Sequence, residues 1–127
     1  MQEKTLKTKK VLIVEDELPL SRALSLKVSK MTGVEPTCVY DGDAAIEALG
    51  NGKFDAILLD LIIPKKNGFE VLEHMKQKNI TTPVILTSNL NQEIDTKRVE
   101  SYGIKDYFLK SSSPITLILE TLQKYLD

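Results

Sequence analysis

The sequence predicts an α/β fold: a doubly wound, five-stranded parallel sheet with helices on both faces. Two observations carry this expectation. Short apolar runs rich in β-branched residues (Val11–Val14, Pro36–Tyr40, Asp55–Asp60, Pro83–Thr87 and Asp106–Leu109) alternate along the chain with stretches of helical periodicity. Strict alternation of that kind means βαβ units, right-handed crossovers and a sheet covered on both sides. The second observation is where the polar residues fall. Strand interiors are almost wholly apolar, whereas Glu15, Asp16, Asp60, Thr87 and Lys110 each stand at or just beyond a strand's carboxyl end. In open parallel sheets that rim is where ligands bind, at the point where strand order reverses.

The elements follow in order. Met1–Lys9 is polar and basic and reads as a flexible amino-terminal tail, leaving 10–127 as one domain. Val11–Val14 is a buried strand closed by Glu15-Asp16-Glu17. Pro19 suits the first turn of a helix, where its missing N–H is harmless. Leu20, Leu24, Val28 and Met31 recur at helical spacing, and Gly33 ends that helix. After the second strand, Asp41 is positioned to cap a helix carrying Ala44, Ala45, Ala48 and Leu49, which Gly50 or Gly52 stops. The third strand is apolar on both sides of its terminal acid, from Ala56 to Leu59 and again from Leu61 to Ile63, which marks a central strand buried on both faces. Pro64-Lys65-Lys66-Asn67-Gly68 turns the chain into a third helix running to about Lys78 with Val71, Leu72 and Met75 inward. The fourth helix, Asn91–Tyr102, has a thin apolar stripe of Ile94, Val99 and Tyr102. Ser113 is a suitable N-cap and Pro114 a suitable first residue for the last helix, whose inner face is Ile115, Ile118, Leu119, Leu122 and Leu126.

Composition narrows the function classes. With 127 residues, 42% hydrophobic and 28% charged, the chain has the size and balance of one soluble domain. A formal net charge of −1 supplies no bulk field for nucleic acid or a membrane surface, so direct contact with either is not expected. No apolar run approaches a bilayer span, and the amino end has no apolar segment of a signal peptide. Cys38 is the only cysteine, so no intrachain disulfide can form, which fits a cytoplasmic location; in its apolar run it reads as a small core residue.

The chemistry follows from the rim. A carboxylate in company as apolar as that of Asp60 is costly unless a cation or donors meet it. Glu15, Asp16 and Asp60 together repel one another, and a hard divalent cation, Mg²⁺, relieves this. Lys110 adds a compact positive charge and Thr87 a hydroxyl. A carboxylate, a Mg²⁺ site, an ammonium and a hydroxyl suit phosphoryl transfer, with Asp60 as the nucleophile because it stands alone at the end of its strand.

The segments VLIVEDE, ILLDLIIPKKNGFEVL, PVILTS and DYFLK resemble those of the two-component response-regulator receiver domain, over nearly all of the chain from Lys10 to Leu126. The resemblance implies a flavodoxin-like (βα)5 fold with strand order 2-1-3-4-5. It implies that Asp60 is the phosphoacceptor, taking its phosphoryl group from a histidine kinase or phosphotransfer protein. It implies that Asp16, Asp60 and the backbone carbonyl of Ile62 bind Mg²⁺, with Glu15 acting through water. Thr87 and Lys110 would then hold the phosphoryl oxygens, joined by the Ser88 backbone N–H. Tyr107 matches the family's switch aromatic. Thr87 and Tyr107 would relay phosphorylation to the face made by the fourth helix, fifth strand and fifth helix, where an output partner or domain, or a second phosphorylated copy in a homodimer, would dock. Such a chain is a signalling phosphoacceptor rather than an enzyme, though it assists its own phosphotransfer and autodephosphorylation. It would act alone or as the receiver part of a longer regulator.

The chain departs from that pattern in places. The family usually has proline after the lysine, in a cis peptide; Ser111 stands here, and a cis bond before serine costs ~3 kcal/mol. Ser88 stands where alanine or glycine is usual, and Glu15 replaces a common aspartate. Plainer readings exist residue by residue: Glu15-Asp16 as helix caps, Thr87 as an ordinary strand end, Lys110 as a solvated charge, Tyr107 as core packing, His74 as an exposed helix residue and Gly50–Gly52 as a helix stop. The clustering of acids, threonine and lysine at one rim sets the first three aside and the family match moves Tyr107, whereas His74 is read as exposed and Gly50–Gly52 as a helix stop. An aspartyl-nucleophile phosphatase would need a second acid two residues after Asp60, where Ile62 stands. A receiver-like module that only binds a partner would have lost an acidic-pocket residue, and none is lost. A flavin module would need donors where Glu15-Asp16-Glu17 repel phosphate.

Overall fold

Ten elements alternate as the sequence expects: β1 (Val11–Val14), α1 (Leu18–Thr32), β2 (Thr37–Val39), α2 (Gly42–Asn51), β3 (Ala56–Asp60), α3 (Gly68–Gln77), β4 (Val84–Ser88), α4 (Thr96–Ser101), β5 (Asp106–Leu109) and α5 (Ile115–Leu126). The structure is a computed structural model that describes residues 9–89, 96–110 and 113–127. Most of the expected tail, the first half of the expected fourth helix and Ser111 lie outside the described residues.

The strands form one parallel sheet in the order β2-β1-β3-β4-β5. The chain runs from β1 outward to β2, then returns past β1 to β3, so strand order reverses between β1 and β3. That reversal opens a crevice beyond their carboxyl ends.

Pleat alternation divides the core in two. Leu12, Val14, Ile57, Leu59, Val84 and Leu86 pack with Ala45 and Leu49 of α2, Val71, Leu72 and Met75 of α3, and Val99 of α4. Val11, Ile13, Ala56, Leu58 and Ile85 pack on the opposite face with Leu24 and Val28 of α1 and with Ile118, Leu122 and Leu126 of α5. Every residue of β1, β3 and β4 is buried, so β3 shares its burial with both neighbours.

Three local expectations need correction. Asp41 caps α2 through an N–H of Ala44 at 2.7 Å, as expected, but the N-cap of α5 is Pro114, not Ser113, and the helix begins at Ile115. β4 runs one residue further than expected, to Ser88. His74 is half-buried rather than exposed. At the end of α1, Gly33 takes the left-handed φ of 75° and its N–H bonds the Ser29 carbonyl, the cap for which glycine suits best.

The turn from β3 to α3 is fixed at both ends. The Leu61 N–H donates to the Thr87 carbonyl (2.8 Å), and the Gly68 N–H to the Leu61 carbonyl (2.7 Å). Asn67 and Glu70 close a reciprocal capping box at the start of α3. Midway, the Pro64 carbonyl accepts from the Gly42 N–H (3.1 Å), tying the turn to the start of α2. A Cβ on Gly42 would lie 1.9 Å from the Lys66 carbonyl oxygen, so only glycine allows this approach.

Candidate functional site

The side chains expected to act together meet at the carboxyl rim of β1, β3, β4 and β5. Asp60 and Thr87 stand directly opposite each other in the register of β3 and β4. The ladder continues past the strands: the Glu15 N–H donates to the Val39 carbonyl (3.1 Å) and the Lys110 N–H to the Ser88 carbonyl (2.7 Å), which fixes both flanking residues. Pleat parity then aims the side chains. Glu15 continues the phase of Val11 and Ile13, Asp60 that of Ala56 and Leu58, Thr87 that of Ile85, and Lys110 that of Phe108, all of which pack on the α1–α5 side.

The ammonium of Lys110 lies at the centre. It donates to Asp60 Oδ2 at 2.8 Å and to Glu15 at 2.9 Å. It also reaches Glu17 Oε1 at 3.1 Å. Asp60 and Glu15 are each only 2% exposed. The Ile62 N–H donates to Asp60 Oδ1 (3.2 Å), and the Glu17 N–H to Glu15 Oε2 (3.0 Å). A buried charge is tolerated only with such partners.

The electrostatics show that this compensation is incomplete. Burial pushes the Glu15 carboxyl up to about 7, against the lowering effect of the Lys110 hydrogen bond and the Glu17 N–H. Burial raises the Asp60 carboxyl as well, again opposed by Lys110. Burial pulls the Lys110 ammonium down, but the hydrogen bonds it donates to Asp60 and Glu15 outweigh this and hold the lysine above its ordinary range.

The donor set fits a hard divalent cation. Glu15, Asp16 and Asp60 each offer a carboxylate oxygen, and these oxygens lie within 4.8 Å of one another. Asp16 is exposed, so one side of the cluster is open to water. One ammonium does not neutralise the carboxylates gathered here, so negative charge is left for a divalent cation, and oxygen ligands with retained waters are what Mg²⁺ prefers.

Two participants were not read from the sequence. The sequence offers Glu17 only as part of a strand-closing acidic run, yet it is a third carboxylate on Lys110. The Ser88 hydroxyl lies 2.6 Å from the Tyr107 hydroxyl, with either able to donate. Pleat parity was the available signal for the second: Ser88 and Tyr107 both fall in the phase facing α2, α3 and α4, opposite to Thr87 and Lys110.

Comparison with known proteins bears on the family and the fold. A family model described as the response regulator receiver domain matches residues 11–122. Among curated relatives, the transcriptional regulatory protein CiaR of Streptococcus pneumoniae is 37% identical over 101 residues, covering 80% of this chain and 44% of the relative. The response regulator ArlR of Staphylococcus saprophyticus is 36% identical over 80% of this chain and 45% of the relative. The chain therefore spans less than half the length of these relatives. Among solved structures, a Francisella response regulator receiver domain superposes with a TM-score of 0.78 at 27% identity, covering 93% of this chain and 97% of that one. Among the described residues, no helix is long and apolar enough to cross a membrane.

Proposed function

This chain belongs to the response regulator receiver family of two-component signalling, and from that premise we propose that residues 10–127 act as a receiver whose phosphoacceptor is Asp60. The observation that carries the reading is the Lys110 ammonium held 2.8 Å from a buried Asp60 directly opposite Thr87. The donor is a phosphohistidine on a histidine kinase or phosphotransfer protein. A carboxylate oxygen of Asp60 attacks the phosphorus in line, the P–N bond breaks, and the imidazole leaves with the electron pair.

Lys110 starts as the counter-ion of Asp60 and Glu15. As the carboxylate becomes an acyl phosphate, the ammonium can follow the new negative oxygens without leaving Glu15, while the Thr87 hydroxyl and the Ser88 N–H take the other oxygens. Asp16, Asp60 and the Ile62 carbonyl would hold Mg²⁺, with Glu15 reaching it through water; when bound, the cation supplies neutralisation of the transferring phosphoryl charge. The output is a change at the face of α4, β5 and α5, read by an effector protein or domain, or by a second copy of the chain. The curated relatives are named as transcriptional and response regulators, which fits a DNA-binding effector outside this domain.

Intact mass after incubation with acetyl phosphate and Mg²⁺ tests the assignment. The parent should gain one phosphoryl group, and Asp60→Asn none. Undiminished labelling of Asp60→Asn would overturn it.

A further inference from the structure

Glu17 is the N-cap residue of α1, yet its side chain makes no capping bond to that helix. Its φ of −82° and ψ of 105° are extended, as an N-cap requires, and its carbonyl accepts the Ser21 N–H at 2.9 Å. The carboxylate turns instead to Lys110, with Oε1 3.1 Å from Nζ. An ammonium has three N–H donors. Here Asp60 takes one at 2.8 Å, Glu15 one at 2.9 Å and Glu17 the third. The three acceptors differ in burial. The side chains of Asp60 and Glu15 are 2% and 3% exposed, whereas that of Glu17 is 54% exposed.

We propose that Glu17 is a positioning residue that occupies the Lys110 donor an arriving phosphoryl oxygen needs, so that it competes for the ammonium and restrains phosphorylation of Asp60. The inference rests on the reading of Asp60 as phosphoacceptor. With all three donors taken, Lys110 bonds a phosphoryl oxygen only by giving up one of its acceptors. Giving up Glu15 strands a buried carboxylate without its cation, which is costly. Asp60 carries its charge until the new P–O bond forms, so its bond is still needed as the phosphoryl group arrives. Glu17 is the acceptor that can turn to water, because half of its side chain is already there. Its release is therefore the least costly of the three, and the cost that remains is the loss of one half-exposed ion pair. The Glu17 N–H, which bonds Glu15 Oε2, belongs to the backbone and stays in place whatever the side chain does.

The experiment compares the parent with Glu17→Gln and Glu17→Asp, because the two remove the contact differently. Glutamine keeps the length and loses the charge. Aspartate keeps the charge but is one methylene shorter, and as a preferred N-cap residue it turns its carboxylate to the N–H groups of α1. Labelling by acetyl phosphate with Mg²⁺ is followed by intact mass. Exchange of the Lys110 ammonium protons with water is followed by NMR, without phosphorylation. An ion pair with one partner this exposed has modest worth, so both variants should label roughly two- to fivefold faster than the parent. Ammonium exchange should quicken in both as well, a change that a merely structural role for Glu17 at the start of α1 would not produce. Faster labelling in Glu17→Gln with none in Glu17→Asp would show that charge at the mouth, not the bond to Lys110, sets the rate, and would overturn the inference. Labelling or ammonium exchange at or below the parent's rate in either variant would overturn it too. If the parent labels and the variants match it, only this inference fails; a parent that takes no phosphoryl group overturns the reading of Asp60 and this inference together.

Discussion

Ile62 stands two residues beyond Asp60, and its two ends do opposite things. Its N–H is a hydrogen-bond donor to Asp60 Oδ1 (3.2 Å), whereas its side chain is 44% exposed at the mouth of the site. An acyl phosphate decays when water attacks the phosphorus in line. A branched hydrocarbon there can exclude such a water and cannot orient one, and the exposed Asn89 has no charge with which to activate it. Ile62→Asn should therefore quicken decay of the phosphoprotein roughly fivefold, the worth of one water-holding hydrogen bond of about 1 kcal/mol. Decay measured at fixed pH in Mg²⁺ checks this, and a variant that decays no faster would remove Ile62 as the gate. Ile62 is also a fair measure of what single residues disclose. The sequence placed Asp60, Glu15, Thr87 and Lys110 at one rim because each ends a recognisable strand. It did not disclose Glu17 on Lys110, because that contact joins positions 93 residues apart and depends on how far a side chain reaches.

At the scale of elements, strands and helix types were legible because the two periodicities are distinct, and capped ends were legible where the cap is a local hydrogen bond, as at Asp41. The start of α5 was not: Ser113 suits an N-cap and Pro114 a first helical residue, yet the extended ψ of 147° at Pro114 starts the helix one residue later. The contact between the β3–α3 turn and α2 was also hidden, since nothing local in Gly42 announces that Lys66 will press on it. Gly42→Ala must displace that turn, which carries Ile62, because the added Cβ would meet backbone at 1.9 Å. A loss of about 1–3 kcal/mol, read as a lower urea midpoint, is expected; an unchanged midpoint would mean the turn yields freely. The described part of α4 spans six residues with Val99 as its one buried side chain, against twelve residues in α5 with four. What else holds it is polar or aromatic: Arg98 lies 4.1 Å from the Phe69 ring centre, and the Tyr102 hydroxyl donates to Glu73 at 2.9 Å. Apolar burial contributes most to docking, so amides of 96–101 should exchange faster than those of α5 and change on phosphorylation. Equal, unaltered protection of the two helices would count against α4 as the moving element.

For the molecule as a whole, the site costs stability in the absence of metal, and the cost depends on pH. The Glu15 carboxyl is raised by burial from 4.5 to about 7, and Asp60 is raised in the same direction. A carboxyl raised on folding binds its proton more tightly in the native state. Its contribution is therefore fully present below the unfolded value and is lost as pH rises through the folded value. For Glu15 that window runs from about 4.5 to about 7. Lys110 is also raised, but its contribution is lost only above the ordinary lysine range, so it does not offset the loss within this window. The groups facing Glu15 are Lys110, Asp60, Asp16 and the Glu17 N–H, and only the lysine and the N–H favour its charged form. With metal chelated, denaturant midpoints should therefore fall between pH 5 and pH 7.5, and Glu15→Gln, which cannot ionise, should fall less. A divalent cation needs the cluster deprotonated, so added Mg²⁺ should raise the parent's midpoint at pH 7.5 and have little effect at pH 5. A Glu15→Gln variant with the parent's full pH dependence would show that the buried carboxyl is not its source. A Mg²⁺ effect of equal size at both pH values would show that the cation binds elsewhere.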